Sequence, residues 1–219
     1  MPLYAIILVN LGVSGLTMLA LHLAFVSGLA DSRKIRPASR RRLERGALIR
    51  SFIVNSVVST GLVFVIALGF APYLFYTAFP GVLQVVLESL GVLLVYDFLY
   101  YLLHRFPFHE WGYLKRVHSV HHQARHPIAV DSLYVHPLET ALGIVLLMFC
   151  VAVFTPISIY SFGVMFFVYT QLNITVHCGL DLPVLGHMSR KHDAHHLDMR
   201  GGNFASITPL PDLLFRTIR

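Results

Sequence analysis

Long apolar runs alternate along this chain with short basic ones, and turn residues or charges mark where each run stops. Leu3 to Ala30 contains no Asp, Glu, Lys or Arg, and neither does the run from Ser51 to about Phe79. A third run covers Val82–Leu103, a fourth about Thr140–Phe154 and a fifth Ile157–Val176. A bilayer core of roughly 30 Å needs about 20 apolar residues as helix, so the pattern predicts five spans, the last two near the minimum length. Pro80-Gly81 supplies the turn between the second and third. Thr155-Pro156 breaks the helix between the fourth and fifth, which suits a full or partly re-entrant hairpin. The first run lacks a basic leader and is too long for the apolar core of a cleaved signal, so it reads as a retained span. The expected fold is all-α: a polytopic bundle of about four to five transmembrane helices.

Composition agrees with the pattern. Only 13% of the 219 residues are charged while 56% are hydrophobic, against about 25% charged in soluble domains. No linker or low-complexity tract divides the chain. The two cysteines, Cys150 and Cys178, form neither a disulfide framework nor a CxxC site.

Charge gives orientation. All 17 Lys and Arg fall in 33–50, 105–125 and 190–219, and the connections around Pro80 and Pro156 have none. The positive-inside rule then makes the three basic stretches cytoplasmic, with the N-terminus on the opposite side and the C-terminus inside, in a cell inner membrane or the endoplasmic reticulum. The run Arg40, Arg41, Arg42 and the net charge of +6 become topology and headgroup signals. They are not a nucleic-acid footprint.

Histidine supplies the chemistry. Of 13, only His22 lies well inside a span; the rest sit at or beyond the basic ends. His104 and His109 follow the third span, His118, His121 and His122 form an HxxHH, His177 ends the fifth span, and His192, His195 and His196 form a second HxxHH. On an α-helix positions 0, 3 and 4 fall within about 100°, so each HxxHH aims three imidazoles at one side. His104 and His109 are about 140° apart on such a helix, and Pro107 is placed to end it and turn His109 back. Nine histidines are too many for one ion and suit two, held in a helical cap on the cytosolic side. All-nitrogen ligation fits Fe, Zn or Cu. Glu-x-x-His pairs of carboxylate di-iron bundles are absent, as is HExxH, and a bis-His haem lacks paired histidines within the spans.

The order Asp97, Tyr100, Tyr101, His104, Arg105, then HxxHH, His136-Pro-Leu-Glu139, HxxHH, Asn203-Phe204 and Asp212-Leu-Leu-Phe215-Arg-Thr217 resembles the fatty acid hydroxylase/sterol desaturase superfamily. The resemblance covers about 97–217, which implies a catalytic domain there and a transmembrane region over 1–96, its third span reaching about 103. It implies a membrane-bound non-haem di-iron oxygenase that hydroxylates or desaturates a sterol, fatty acyl or related lipid with O₂. The two irons fall by this resemblance to His104, His109, His118, His121, His122, His177, His192, His195 and His196. Asn173 stands where lipid 2-hydroxylases of the family have His, and Ala205, Pro211 and Arg216 stand where it usually has Gly, Trp and Gly.

Around these residues, Asp97 is expected as an acceptor for a ligand N–H, and His136 with Glu139 as a supporting pair. Glu88 is read as buried near mid-span, some 24 Å from His104, in a packing role. His126 and His187 are read as solvent-facing, and His22 as packed or facing lipid. No dinucleotide fingerprint, iron–sulfur cysteine set or cytochrome motif occurs, so electrons are expected from a separate ferredoxin or b-type cytochrome with its reductase. Arg105, Lys115, Arg116, Arg125, Arg190 and Lys191 would suit an acidic carrier. A carotenoid hydroxylase is the alternative within the enzyme class. A non-catalytic metal-binding or transport protein is the alternative outside it, disfavoured because the spans hold little beyond Glu88, Asp97 and His22 to form a polar path.

Overall fold

A computed structural model describes residues 1–36 and 43–219; Arg40, Arg41 and Arg42 lie outside the described residues. The long helices are α1 (Leu3–Val26), α2 (Arg45–Gly69), α4 (Val82–Leu103), α6 (Pro137–Val153) and α7 (Ile159–Val176). Shorter ones are α3 (Ala71–Leu74), α5 (Gly112–His118), α8 (Gly186–Leu197) and α9 (Leu210–Leu214). Four of them are long and apolar enough to cross a membrane: α1, α2, α7, and α4 with its extension to Phe108. By length and composition they fit an integral membrane protein. Helix α6 has 17 residues and reaches about 26 Å, just short of the hydrocarbon core.

The helices are apolar on nearly all sides because every face meets either lipid or another helix, and in lipid the backbone must satisfy itself. Helix α4 sits against both α6 and α7, α1 lies on α7, and α2 lies on α6. Their shared core is built from Ile7, Val63, Val92, Tyr96, Leu147 and Phe162, all essentially without solvent exposure. Polar side chains fix the register. The Asn55 side chain, fully buried in α2, donates to the Val135 carbonyl at 2.9 Å and accepts from the Thr140 hydroxyl at 2.6 Å, tying α2 to the start of α6.

The second apolar run departs from expectation at both ends. Its helix starts at Arg45 and stops at Gly69, after which α3 leads into β1 (Phe75–Tyr76). This strand pairs in parallel with β2 (Ile157–Ser158), Phe75 opposite Ile157, at the ends of α4 and α7 away from the histidines. Glu88 belongs here as well. It is half-buried in the second turn of α4, not at mid-span. Its carboxylate accepts from Tyr76 Oη, Gln84 Nε2, Ser158 N and Ser161 Oγ at 2.6–3.0 Å, the packing role expected of it.

At the other end of the bundle α5, α8, α9 and the loops between them form a cap. The segment after α1 docks on it: Lys34 bridges to Leu180, and Arg36 pairs with Asp193 at 2.6 Å.

Candidate metal centre

The cap begins where α4 changes pitch. Pro107 has no N–H to give to residue 103, so an α turn cannot close there, and residues 104–108 form a π turn whose i→i+5 bonding ends with Trp111 N donating to the Phe106 carbonyl. Residues five apart share a face of such a turn, which brings the His104 and His109 rings to 4.9 Å. The 140° separation expected of an α-helix does not arise.

The HxxHH segments also differ from expectation. The first is not one helix: α5 ends at His118, and His121–Gln123 form a 3₁₀ turn. Only the second lies on a helix, α8. All nine histidines are nevertheless brought together, in two groups. His104, His109, His118, His122 and His195 form one; His121, His177, His192 and His196 form the other, and within each the candidate ligand atoms all lie within 4.8 Å of one another. Each HxxHH is shared. Its i and i+4 members serve one group and its i+3 member the other, with the roles reversed between the two segments. The neighbouring His126 and His187 belong to neither: His126 meets Asp193 at 3.1 Å and His187 bonds to the Val184 carbonyl. His22 lies in α1 and in neither group.

Hydrogen bonds settle the tautomers. The Nδ1–H of His104 donates to the Phe204 carbonyl at 2.7 Å, that of His109 to Met199 at 2.6 Å, that of His177 to Asn173 at 2.7 Å and that of His195 to Gly202 at 3.0 Å. His121 and His122 make longer bonds of the same kind to the carbonyls of Tyr134 and His196. His118 donates to the Glu139 carboxylate at 2.8 Å. In the six rings held by carbonyls, and in His118 when Glu139 is ionised, the proton is on Nδ1, so the inward Nε2 atom carries a lone pair.

Those lone pairs then face each other. His104 and His122 Nε2 each lie 3.0 Å from His118 Nε2, and His177 Nε2 lies 3.1 Å from His121 Nε2. In the second group His192 Nε2 is 2.8 Å from His177 Nε2 and 3.0 Å from His196 Nε2. The Nε2 atoms of His109 and His195 are buried with no partner. Two neutral Nδ1–H imidazoles cannot hydrogen-bond through Nε2, and protonation offers no escape. Burial pulls His109, His122 and His177 down to about 4, and burial followed by adjacent imidazoles takes His118, His121, His192, His195 and His196 well below 6.5. A cation relieves this arrangement: adjacent imidazole nitrogens at about 2.1 Å from one ion stand about 3.0 Å apart. The donor set therefore fits a metal pair.

Supporting residues differ from those expected. Asp97 reaches no histidine. Its carboxylate accepts from the backbone N–H groups of Ser206, Ile207 and Thr208 and from the Thr208 hydroxyl, at 2.7–3.2 Å. It thus acts at one remove, by clamping the loop whose Phe204 carbonyl orients His104. His136 does not pair with Glu139 either; its Nδ1 accepts from Leu138 N and caps α6, which leaves Glu139 to His118. Asp212 was read only as part of a motif, yet it accepts from Phe204 N and Ala205 N at 2.9 Å. Of the departures from the family pattern, Arg216 adopts φ +54°, a conformation that favours Gly. Asn173 uses its carbonyl to orient His177.

From the histidines a cavity of about 510 Å³ runs between the spans, with His104, His118, His121, His177 and His192 at one end and mainly apolar side chains such as Met18, Val63, Ile144 and Phe166 beyond. A second, more open depression is lined by His122 and His196, both themselves buried, beside Gln123 and Arg125.

The family model for the fatty acid hydroxylases matches residues 89–217. The chain belongs to the fatty acid hydroxylase family. Rat methylsterol monooxygenase 1 is 35% identical over 144 residues, 59% of this chain and 46% of that protein. Human fatty acid hydroxylase domain-containing protein 2 is 34% identical over 104 residues, 48% of this chain and 31% of that protein. The very-long-chain aldehyde decarbonylase GL1-10 of Oryza sativa subsp. japonica is 31% identical over 149 residues, 63% and 48%. The chain spans less than half the length of these relatives. No solved structure gives a significant match. All nine clustered histidines fall inside the fatty acid hydroxylase match.

Proposed function

We propose that this chain is a membrane-embedded iron oxygenase that hydroxylates or desaturates a lipid, with its chemistry carried by 97–217 and the segment 1–96 completing the substrate cavity. One observation carries the reading: two groups of imidazole nitrogens converge at one end of an apolar cavity that lies between membrane helices. The nine imidazoles hold two irons, and bound iron supplies the activation of O₂. For hydroxylation the balance is R–H with O₂, two electrons and two protons giving R–OH and water; desaturation takes two hydrogens from adjacent carbons and, with the same O₂, two electrons and two protons, gives the alkene and two waters.

The protein's own part is positioning and exclusion. Carbonyls of Met199, Gly202, Phe204 and Asn173 and the Glu139 carboxylate keep the ligand rings in the Nδ1–H tautomer. Phe204, edge-on to His104, His109 and His195, and Phe108, stacked on His118 at 5.3 Å, close the site against water. The lipid enters from the bilayer, and electrons enter at the depression behind whose floor His122 and His196 are buried. Arg125 there suits an acidic ferredoxin or b-type cytochrome. Arg190 contributes less, being paired with Asp181, as does Arg105, which donates to Tyr101. The cap and C-terminus face the cytoplasm in this reading, by the distribution of basic residues.

The test is metal analysis of the purified protein together with O₂ consumption on addition of reductant, followed by lipid profiling of a deletion strain. Two irons per chain, reductant-dependent O₂ uptake and a missing hydroxyl or double bond are expected. One metal per chain, or iron-loaded protein inert to reductant and O₂, overturns the proposal.

A further inference from the structure

The cavity wall changes character with depth. Near the histidines it includes charged side chains, Glu139, Lys191 and Asp212; deeper between the helices none of the lining residues is charged. Hydroxyls interrupt that deeper wall, among them Ser14 of α1, Ser56 and Thr60 of α2 and Thr170 of α7; Ser59, also on the wall, is taken up by the Ser56 carbonyl. Ser14 and Thr170 are bonded to each other at 2.9 Å, and Gln171 donates to Ser14 at 3.2 Å. Ser56 and Thr60 are one turn apart on one face of α2. Among the described residues neither of their hydroxyls has a protein partner, and both residues are half-buried on the cavity wall.

Depth can be read along the helices. Thr170 precedes His177 by seven residues, about 10 Å along α7. Thr60 follows Ser51 by nine, about 14 Å, and Ser51 donates to the carbonyls of Leu133 and Val135 on either side of Tyr134, whose own carbonyl holds His121. The hydroxyls of both helices therefore line the cavity at a similar distance from the metal centre.

We propose that Ser14, Ser56, Thr60 and Thr170 form a subsite for the uncharged hydroxyl of a lipid alcohol, holding it about 10 Å from the carbon that is oxidised. The proposal deepens the lipid-oxygenase reading and rests on it for the cavity being the substrate site. Ser56 and Thr60 can donate or accept, while Ser14 and Thr170, whose protons go to Thr170 and to the Phe167 carbonyl, can accept, a mixed set that matches an alcohol. A carboxylate or phosphate would be buried there without a cationic partner, at a large cost. Three of these residues, Ser14, Ser56 and Thr60, precede the family match at 89–217, so the subsite is supplied by the part of the chain that the family model does not cover.

The experiment is equilibrium binding to the purified, metal-free full chain in nanodiscs, without O₂. The probes are cholesterol with its 3-deoxy hydrocarbon, and hexadecanol with hexadecane and palmitate. In at least one of the two scaffolds the alcohol is expected to bind about fivefold or more tighter than the matching hydrocarbon. Palmitate shows no such gain. Ser56→Ala with Thr60→Val reduces the advantage of the alcohol to less than about twofold and leaves hydrocarbon affinity unchanged, which also reports that the fold is intact. Equal binding of alcohol and hydrocarbon in both scaffolds overturns the proposal, and so does an alcohol preference that survives the double substitution. Since the assay needs neither iron nor turnover, its outcome is separate from that of the O₂-uptake test.

Discussion

His118 gives its Nδ1 proton to Glu139 at 2.8 Å, with both side chains almost fully buried. Glu139 thus holds a clustered histidine with one oxygen, and among the described residues its second oxygen is buried without a partner. Replacing it by Ala leaves the His118 proton without an acceptor and frees the ring to rotate or change tautomer. Metal affinity in Glu139→Ala is expected to fall about 10–100-fold, measured as iron retained against a graded chelator. Glu139→Gln keeps an oxygen acceptor and is expected to lose less.

The two groups make the metals separable. His109 serves only the first and His192 only the second. His109→Ala and His192→Ala are each expected to lower iron from two per chain toward one, read by elemental analysis, and both to abolish O₂ uptake. Stripping both irons is expected to lower the melting temperature, because ligand binding to the folded state alone stabilises it.

Acid acts on the same rings. The folded values of about 4 for His109, His122 and His177 lie below the unfolded value near 6.5, so between these limits the unfolded chain binds protons that the folded chain refuses. Stability is complete above about pH 6.5 and lost as pH falls toward 4, at about 1.4 kcal/mol per pH unit for each such histidine. Thermal melting of the metal-free protein at graded pH is expected to show a plateau above 6.5 and a steep decline below it.

Asp97 is tested by its distance from the metal. Asp97→Ala leaves three backbone N–H groups of 206–208 without their acceptor, at about 1–3 kcal/mol each. A loss of at least about 3 kcal/mol of stability is expected, with iron affinity reduced through the displaced Phe204 carbonyl. If affinity falls with no change in stability, the clamp is not how Asp97 works.

Arg216 occupies a left-handed conformation at φ +54°, where a side chain costs about 1–2 kcal/mol. Arg216→Gly is expected to raise stability by about 1 kcal/mol, seen as a higher melting temperature at unchanged iron content.

The spans and the histidine cluster were legible because each rests on a local pattern: apolar length for the helices, HxxHH spacing for the ligand candidates. What escaped depends on chain brought from far away. Asp97 and Ser206 are 109 positions apart, and nothing in the spacing around Asp97 says that a returning loop will claim its carboxylate before any histidine does. Glu139 sits beside His136 in sequence, which suggested that pair, whereas packing of α6 against α5 gives it to His118. The π turn at 104–108 was half visible: Pro107 marked the interruption, but a wider turn and a simple break carry the same residue. Arg216 was visible as a departure from a family Gly, and only the backbone angle explains why Gly is usual there.

The division of each HxxHH between the two groups has a consequence for assembly. If each triplet served a single ion, α8 could come away and leave one site whole. Here α8 gives His195 to the first group and His192 and His196 to the second, while the segment after α5 gives His118 and His122 to the first and His121 to the second. Undocking either segment breaks both groups together. If the groups hold the proposed irons, loading is expected to be cooperative when both are intact: the first ion to bind fastens the scaffold that the second requires, whereas a substitution within one group leaves the other able to fill alone.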